Sequence, residues 1–225
     1  MMDRDTPIFV KMFEDDRIAG VAEQMHGSDV MGMVTDANRY VGNTNWHPDT
    51  FHIVQYGVKF AFYMEPVRAD SGALRVISGS HQNPLHDELR KLKDDGQMDQ
   101  IDQVPAQVCD SDPGDVVAFD IRTWHASFGG STDRHMATFV FYRYPKTAEE
   151  TAVTRFQLSH NVARTKTSAK PWNPKELIPQ SWLDDAENLA RRNRWLAHLQ
   201  EVEQAECGLE VVREGMGVRL FPIHR

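Results

Sequence analysis

Two potential metal ligands, His47 and Asp49, flank Pro48 in the stretch NTNWHPDT, just before a run that is typical of a strand. Side chains at positions i and i+2 of an extended segment point to the same side, so both groups could bind one ion. Two protein ligands hold a transition metal poorly, and a common open site combines two histidines with one carboxylate. The best third candidate is His125, which follows the VVAFD run and opens a Gly-rich loop. The alternative is that WHPD is an ordinary turn that contains a histidine.

A candidate anion-binding residue, Arg134, begins the strand that follows the His125 loop. If this strand runs antiparallel beside the strand ending at His125, the Arg134 side chain points into the same cavity. A buried guanidinium needs an anion, and it can hold a carboxylate through two parallel hydrogen bonds. Arg134 is therefore a candidate clamp for a small acid. The alternative is a surface arginine paired with Asp133.

Several short segments rich in Val, Phe and Tyr predict strands separated by turns. They cover residues 30–37, 54–65, 71–78, 112–120 and 134–144. One helix is predicted among them, in the stretch PLHDELRKLKDD that opens at Pro84. Many short strands at this spacing favour a sandwich or a small barrel over an α/β sheet. Three residues between the strands are interpreted as serving turns: Gly72, Gly79 and Ser80.

Helices are predicted on both sides of this β region. Residues 13–26 show an amphipathic helical pattern, whereas residues 146–180 are loop-like and rich in proline towards their end. A long helix follows, and its apolar stripe consists of Leu183, Ala186, Leu189, Leu196, Leu199 and Val202. Three basic residues of that helix are interpreted as a solvated face: Arg191, Arg192 and Arg194. We predict one domain over 1–225, with a helical extension over 146–225 that packs on the barrel or pairs two copies as a homodimer.

Composition excludes several classes of partner. The net charge is −8 at pH 7 and the pI is about 5.7, whereas a nucleic-acid-binding protein needs a basic face to displace counterions. No apolar run approaches the ~18–20 residues of a spanning helix, and the N-terminus lacks the basic-then-apolar plan of a signal peptide. Two distant cysteines, Cys109 and Cys207, form no disulfide framework. We therefore expect a cytoplasmic protein that binds neither nucleic acid nor membranes.

Four motifs follow one another in the middle of the chain: WHPD (46–49), YGVKFAFYMEP (56–66), DSGALRVISGSH (70–81) and DPGDVVAFDIRTWHASFGGSTDRHMATFVFY (112–142). In this order they resemble the phytanoyl-CoA dioxygenase family of Fe(II)- and 2-oxoglutarate-dependent oxygenases. The resemblance implies a mainly β fold with flanking helices. Its catalytic core, residues 45–145, would be a double-stranded β-helix, a cupin-like jelly roll with iron at its open mouth.

The resemblance also implies roles for particular residues. The iron ligands, which form the catalytic centre, would be His47, Asp49 and His125. Arg134 would pair with the distal carboxylate of the co-substrate 2-oxoglutarate. Lys59, or the aromatic residues around Phe62, would line the pocket that binds this co-substrate.

The implied reaction is hydroxylation of a small molecule by O2, with decarboxylation of 2-oxoglutarate to succinate and CO2. Asp49 favours hydroxylation over halogenation, because a small residue replaces this carboxylate in related halogenases. Desaturation, ring formation and epimerisation share the same three ligands and stay open. A different class of enzyme also stays open, namely a cupin-like metal-dependent dioxygenase or isomerase that does not use 2-oxoglutarate. Nothing in the sequence signals a CoA-bearing substrate.

Overall fold

The structure, a computed structural model, describes residues 7–130, 133–167, 178, 180–184, 190–214 and 217–223. The chain divides into two units of dense internal contact. The first comprises the described parts of Met1–Thr35, Phe139–Val212 and Leu220–Arg225, and the second comprises Asp36–Thr138 and Arg213–Arg219. The second unit contains the candidate site residues. The organisation as one domain with a core over 45–145 and an extension over 146–225 stays a prediction.

Eight strands form two four-stranded sheets. In chain order they are β1 (Val30–Tyr40), β2 (Thr44–His47), β3 (Gly57–Tyr63), β4 (Leu74–Val76), β5 (Gln107–Cys109), β6 (Val117–Asp120), β7 (His125–Ser127) and β8 (Arg134–Arg143). One sheet has the order β1-β8-β3-β6, and the other has the order β2-β7-β4-β5. Neighbours in each sheet are mostly distant in sequence, so the strands cross repeatedly between the sheets. This is the connectivity of a jelly roll, and it confirms the predicted fold class.

The strands of the second unit pair antiparallel and enclose an apolar interior. Residues 58–61 of β3 pair with residues 117–120 of β6, and β7 pairs with both β2 and β4. Ala61 and Phe119 of the first sheet pack with Leu74 of the second sheet. The two sheets therefore face each other across a filled core, and alternate residues of each strand point into it.

Two helices close one end of the second unit: α3 (Leu85–Asp94) and α4 (Met98–Ile101). The prediction of a helix after Pro84 is confirmed. Leu89 and Ile101 are buried against Trp46, Ile77 and Trp124. This apolar cluster lies directly beside the candidate ligands in sequence, because Trp46 precedes His47 and Trp124 precedes His125.

The first unit contains most of the remaining helices. They are α1 (Pro7–Glu14), α2 (Val21–His26), α5 (Ala148–Thr167), α6 (Gln180–Leu183) and α7 (Ala190–Gln204), and a π-helical turn over Asp16–Gly20 joins α1 to α2. Aromatic rings of Phe13, Phe141 and Trp195 pack together, with centroids 4.7 Å and 5.2 Å from that of Phe13. A hairpin of β9 (Leu209–Glu214) and β10 (Gly217–Pro222) follows α7. Among the described helices, none is long and apolar enough to cross a membrane.

The loop predicted over 146–180 is wrong for residues 148–167, which form the 20-residue helix α5. Its start is a capping arrangement in which the Thr147 hydroxyl accepts the backbone N–H of Glu150 at 3.2 Å. The Glu150 carboxylate in turn accepts the backbone N–H of Lys146 at 2.9 Å. A Thr-x-x-Glu pattern is a local signal for a helix start, and it outweighs the prolines that lie further along the chain.

The solvated face predicted for three arginines of α7 is also wrong. Arg192 is buried and forms a two-pronged ion pair with the buried carboxylate of Glu14. Arg191 and Arg194 both donate hydrogen bonds to Glu23. These side chains therefore tie α7 to the N-terminal helices. Leu199 and Val202 of the predicted apolar stripe are buried as expected, whereas Leu183 is exposed. Ala186 and Leu189 lie outside the described residues.

Candidate metal centre

The structure brings His47, Asp49 and His125 together at one end of the second sheet. His47 ends β2 and His125 begins β7, and the two residues are direct partners across this antiparallel pair. Their ring centroids are 4.4 Å apart. One potential ligand atom from each of the three residues lies within 4.8 Å of the other two. Groups spaced in this way can share one metal ion.

Backbone hydrogen bonds hold the two ligand-bearing segments against each other. The carbonyl of Ile121, four residues before His125, accepts the N–H groups of Asp49 at 2.9 Å and Thr50 at 3.2 Å. The buried hydroxyl of Ser80 accepts the N–H of Trp124 at 2.8 Å and donates to the Ile77 carbonyl at 2.6 Å. Ser80, which was interpreted as serving a turn, therefore also fixes the residue next to His125.

Both histidines are held in the form that binds metals. Nδ1 of His47 lies 2.7 Å from the carbonyl of Asn45, and Nδ1 of His125 lies 2.8 Å from that of Thr123. A carbonyl only accepts, so Nδ1 carries the hydrogen and Nε2 keeps its lone pair. Burial lowers the pKa of His125 to about 4 and also lowers the pKa of His47. Both imidazoles are therefore neutral at pH 7.

Asp49 pairs with Lys59 inside the site. Oδ1 of Asp49 accepts a hydrogen bond from Nζ of Lys59 at 2.9 Å, and the two side chains are 23 % and 17 % exposed. Burial acts to raise the pKa of the Asp49 carboxyl, but the Lys59 ammonium and the neighbouring histidines outweigh it, so this pKa is lowered. Burial acts to lower the pKa of Lys59, and Asp49 reverses this effect. Both groups are charged at pH 7.

Arg134 lies in the same pocket, and among the described residues no carboxylate forms an ion pair with it. The pocket is lined by Arg134, Lys59, His47 and His125, among others. The Arg134 side chain is buried, and it donates hydrogen bonds to the Gly72 carbonyl and the Ser127 hydroxyl, and to the Gly42 carbonyl at 2.9 Å. None of these acceptors is charged, and Nε has no partner in the described part of the chain. A buried cation in this state is a candidate binding site for an anion.

Two expectations about Arg134 are corrected by the structure. Asp133 pairs with Arg39 and not with Arg134, so the alternative of a surface ion pair is wrong. The strand β8 that carries Arg134 also does not lie beside β6, the strand that leads to His125, because β3 lies between them in the same sheet. Arg134 reaches Ser127 of β7 across the interior. The Arg134 side chain therefore points into the predicted cavity, although its strand is not a neighbour of the strand that leads to His125.

Sequence reasoning missed the glycines that make room for Arg134. A β-carbon built on Gly72 would lie 2.2 Å from Nη1 of Arg134, and one built on Gly130 would lie 2.6 Å from Cζ. Gly72 also has φ of +91°, which residues with side chains rarely adopt. The motif SGAL carries this glycine, and its function is to seat the guanidinium as well as to turn the chain.

Comparison with known proteins finds solved structures of similar fold. The crystal structure of EctD from S. alaskensis with 2-oxoglutarate and 5-hydroxyectoine is similar, at 22 % identity and a TM-score of 0.50, over 64 % of this chain and 55 % of that chain. The same protein with bound Fe gives 21 % identity and a TM-score of 0.50 over the same shares. EvdO2 from Micromonospora carbonacea var. aurantiaca, complexed with 2-oxoglutarate, gives 20 % identity and a TM-score of 0.48, over 63 % of this chain and 65 % of that chain.

The chain thus spans less than two thirds of the length of these solved structures, and their likeness concerns the fold. No curated protein sequence matches the chain. The model of the family described as Phytanoyl-CoA dioxygenase (PhyH) matches residues 1–136, which is more than half of the sequence. This match includes the strands and loops that bring His47, Asp49, His125 and Arg134 together, and the chain belongs to the phytanoyl-CoA dioxygenase family.

Proposed function

We propose that the chain is an Fe(II)- and 2-oxoglutarate-dependent oxygenase that hydroxylates a small molecule. The observation that carries this proposal is Arg134, a buried guanidinium that has no carboxylate partner among the residues that the structure describes and that shares a pocket with two histidines of a candidate metal centre. A dicarboxylate co-substrate that chelates a metal with one end and pairs with an arginine at the other end fits this arrangement.

The donor set suits ferrous iron. Two neutral imidazoles and one carboxylate are the ligand set of open iron(II) sites that activate oxygen. His47, Asp49 and His125 would hold the ion, and Arg134 would bind the distal carboxylate of 2-oxoglutarate through two parallel hydrogen bonds. When bound, the iron would supply O2 activation coupled to decarboxylation of 2-oxoglutarate to succinate and CO2.

The protein's own contribution is orientation and exclusion of water. The Asn45 and Thr123 carbonyls fix the two imidazole rings, and the Ile121 carbonyl fixes the backbone of Asp49. Phe119 covers one side of the centre, with its ring centroid 4.8 Å from that of His125. A dry pocket strengthens the attraction between Arg134 and a carboxylate, because little solvent screens it.

Several finer features of the proposal rest on sequence. The carboxylate of Asp49 occupies the position that would otherwise be open to a halide, which favours hydroxylation. The acidic composition disfavours nucleic acid as a partner. Lys59 lines the pocket and is proposed from sequence as a contact of the co-substrate. A cytoplasmic location and a homodimer formed through the C-terminal helix stay predictions.

An anaerobic titration tests the proposal. Fe(II) and 2-oxoglutarate added to the protein should produce a visible charge-transfer band, and admission of O2 should produce succinate. The variants His47→Ala and Asp49→Ala should abolish both signals, whereas His81→Ala, outside the candidate centre, should keep them. Metal binding without an effect of 2-oxoglutarate would favour the cupin-like alternative. A wild-type protein that neither develops the band nor makes succinate would contradict the assignment.

A further inference from the structure

Lys59 occupies an unusual position for a charged side chain. It lies in β3 and pairs with Phe119 of β6. Ala61, two residues later in the same strand, packs with Leu74 of the opposite sheet, and alternate residues share a face. The Lys59 side chain therefore points into the interior of the jelly roll. An ammonium in this place loses much of its hydration, so it persists only with a charged partner.

The partner of Lys59 is one oxygen of a candidate metal ligand. Nζ lies 2.9 Å from Oδ1 of Asp49. In the described part of the chain, this is the one hydrogen bond that the Asp49 carboxylate receives from protein. Oδ2 of Asp49 is left without a protein donor there, so it can act as a metal ligand while Oδ1 stays paired with Lys59.

The other two candidate ligands follow the same plan. In each histidine, one ring nitrogen contacts a backbone carbonyl, Asn45 for His47 and Thr123 for His125, and the second nitrogen is left for the metal. Each of the three ligand groups thus has one atom fixed by the chain and one atom free. Contacts of this kind set the orientation of metal ligands in proteins.

We propose that Lys59 is a positioning residue of the metal centre, whose ammonium holds Oδ1 of Asp49 so that Oδ2 faces the ion. This inference rests on the proposed function, and it gives Lys59 a different role from that of a 2-oxoglutarate contact. Without Lys59, the Asp49 side chain would be free to rotate or to turn both oxygens towards the metal.

Lys59 also has an effect that opposes metal binding, and this second effect makes the inference testable. An ammonium beside a bound cation repels it, and an ammonium that grips Asp49 competes with the metal for that carboxylate. If competition dominated, removal of the charge would tighten metal binding. If positioning dominates, removal weakens metal binding, typically by 10- to 100-fold for residues that orient ligands. The direction of the change in affinity therefore separates the two roles.

The experiment uses the full chain with Lys59→Met, which keeps the length of the side chain and removes the ammonium. Anaerobic titration with Fe(II), and with Co(II) as a spectroscopic probe, gives the metal Kd without 2-oxoglutarate. We expect the Kd to rise about tenfold or more and the Co(II) bands to shift. Lys59→Arg, which can still donate to Oδ1, should restore most of the affinity. Lys91→Met is the matched control, because Lys91 of α3 is exposed and forms an ion pair with Asp95, directly after that helix.

Each other outcome overturns the inference. A metal Kd that falls or stays unchanged in Lys59→Met excludes positioning, and a rise in the 2-oxoglutarate Kd alone identifies Lys59 as a co-substrate contact. If Lys59→Met fails to fold, Lys59→Leu, which also lacks a hydrogen-bond donor, is measured in the same way and against the same criteria. A wild-type protein that binds no Fe(II) would contradict the proposed function as well. A wild-type protein that binds Fe(II) and turns over 2-oxoglutarate, with variants of unchanged metal affinity, would contradict this inference alone.

Discussion

The guanidinium of Arg134 lies directly against the backbone of Gly72. A β-carbon at Gly72 would be 2.2 Å from Nη1 and 2.6 Å from Cζ of Arg134, and the Gly72 carbonyl accepts a hydrogen bond from Nη1. The guanidinium proposed to bind 2-oxoglutarate thus occupies the space that a side chain at position 72 would fill. Any residue larger than glycine at position 72 must displace this cation.

We predict that Gly72→Ala weakens 2-oxoglutarate binding, because the added methyl group pushes the guanidinium out of its seat. The Kd for 2-oxoglutarate should rise at least about tenfold, which corresponds to ~1.4 kcal/mol. Gly79→Ala is the matched control, since Gly79 also has positive φ, at +77°, but a β-carbon there meets nothing within 4 Å. Both variants should lose ~1–2 kcal/mol of stability from backbone strain. Equal 2-oxoglutarate affinities in the two variants would contradict the role of Gly72.

Substitution of Arg134 should weaken binding of the co-substrate 2-oxoglutarate and leave metal binding unchanged. Arg134→Met removes the charged hydrogen bonds to the distal carboxylate, and ~2–4 kcal/mol of binding free energy should be lost, or roughly 10²-fold in Kd. Arg134→Lys keeps the charge but not the planar fork, so its Kd should be intermediate. Titration of the charge-transfer band gives these values. A comparable loss of Fe(II) affinity in Arg134→Met would show that the arginine is part of the metal centre.

Ser80 is expected to stabilise the segment that carries His125. Ser80→Ala leaves the buried N–H of Trp124 without its acceptor, which should cost about 1–3 kcal/mol in the free energy of unfolding. Urea denaturation measures this loss. Ser78→Ala, two residues away at an exposed position, should be nearly neutral. If the two serine variants were equally stable, the hydrogen bond from the Trp124 N–H to Ser80 would not contribute to the stability of the fold.

The sequence predicts the parts of this site that depend on local geometry. The i, i+2 spacing of His47 and Asp49 is enough to place both side chains on one side of an extended segment. The strands that carry Lys59 and Arg134 are recognisable from β-branched and aromatic residues, whereas the short strands β2 and β7, which carry His47 and His125, are not among the predicted strands. The roles of His125 and Arg134 cannot be predicted in this way, because local sequence does not show which strands become neighbours. The ordered motifs of the family supply that information.

The other incorrect predictions have physical causes that are difficult to read from a single sequence. The apolar face of α5 is weakly developed, so its periodicity does not reveal a helix, although Thr147 and Glu150 mark its start. A run of arginines on a helix is usually solvated, and only the tertiary fold brings Glu14 to Arg192. The position of β8 in its sheet is likewise a long-range property, since β3 and not β6 lies next to it.

The ion pair between Glu14 and Arg192 leads to the last prediction. Both side chains are buried, at 6 % and 3 % exposure, and the Arg192 guanidinium also lies over the Trp182 ring with Cζ 4.8 Å from its centroid. Arg192→Met should cost about 3–5 kcal/mol in the free energy of unfolding, because it leaves the Glu14 carboxylate buried without its partner. The double variant Glu14→Met with Arg192→Met should recover part of this loss, since the Glu14 carboxylate is then also removed.

The control for this cycle is the exposed pair of Arg17 with Asp15, in which Arg17→Met should change stability little because solvent screens the pair. Denaturant unfolding of the four proteins of the cycle gives the coupling energy. Additive effects of the two single variants would mean that Glu14 and Arg192 do not depend on each other. A large positive coupling would instead show that α7 is attached to α1 through this pair, which places a stability determinant where the sequence suggests only a solvated surface.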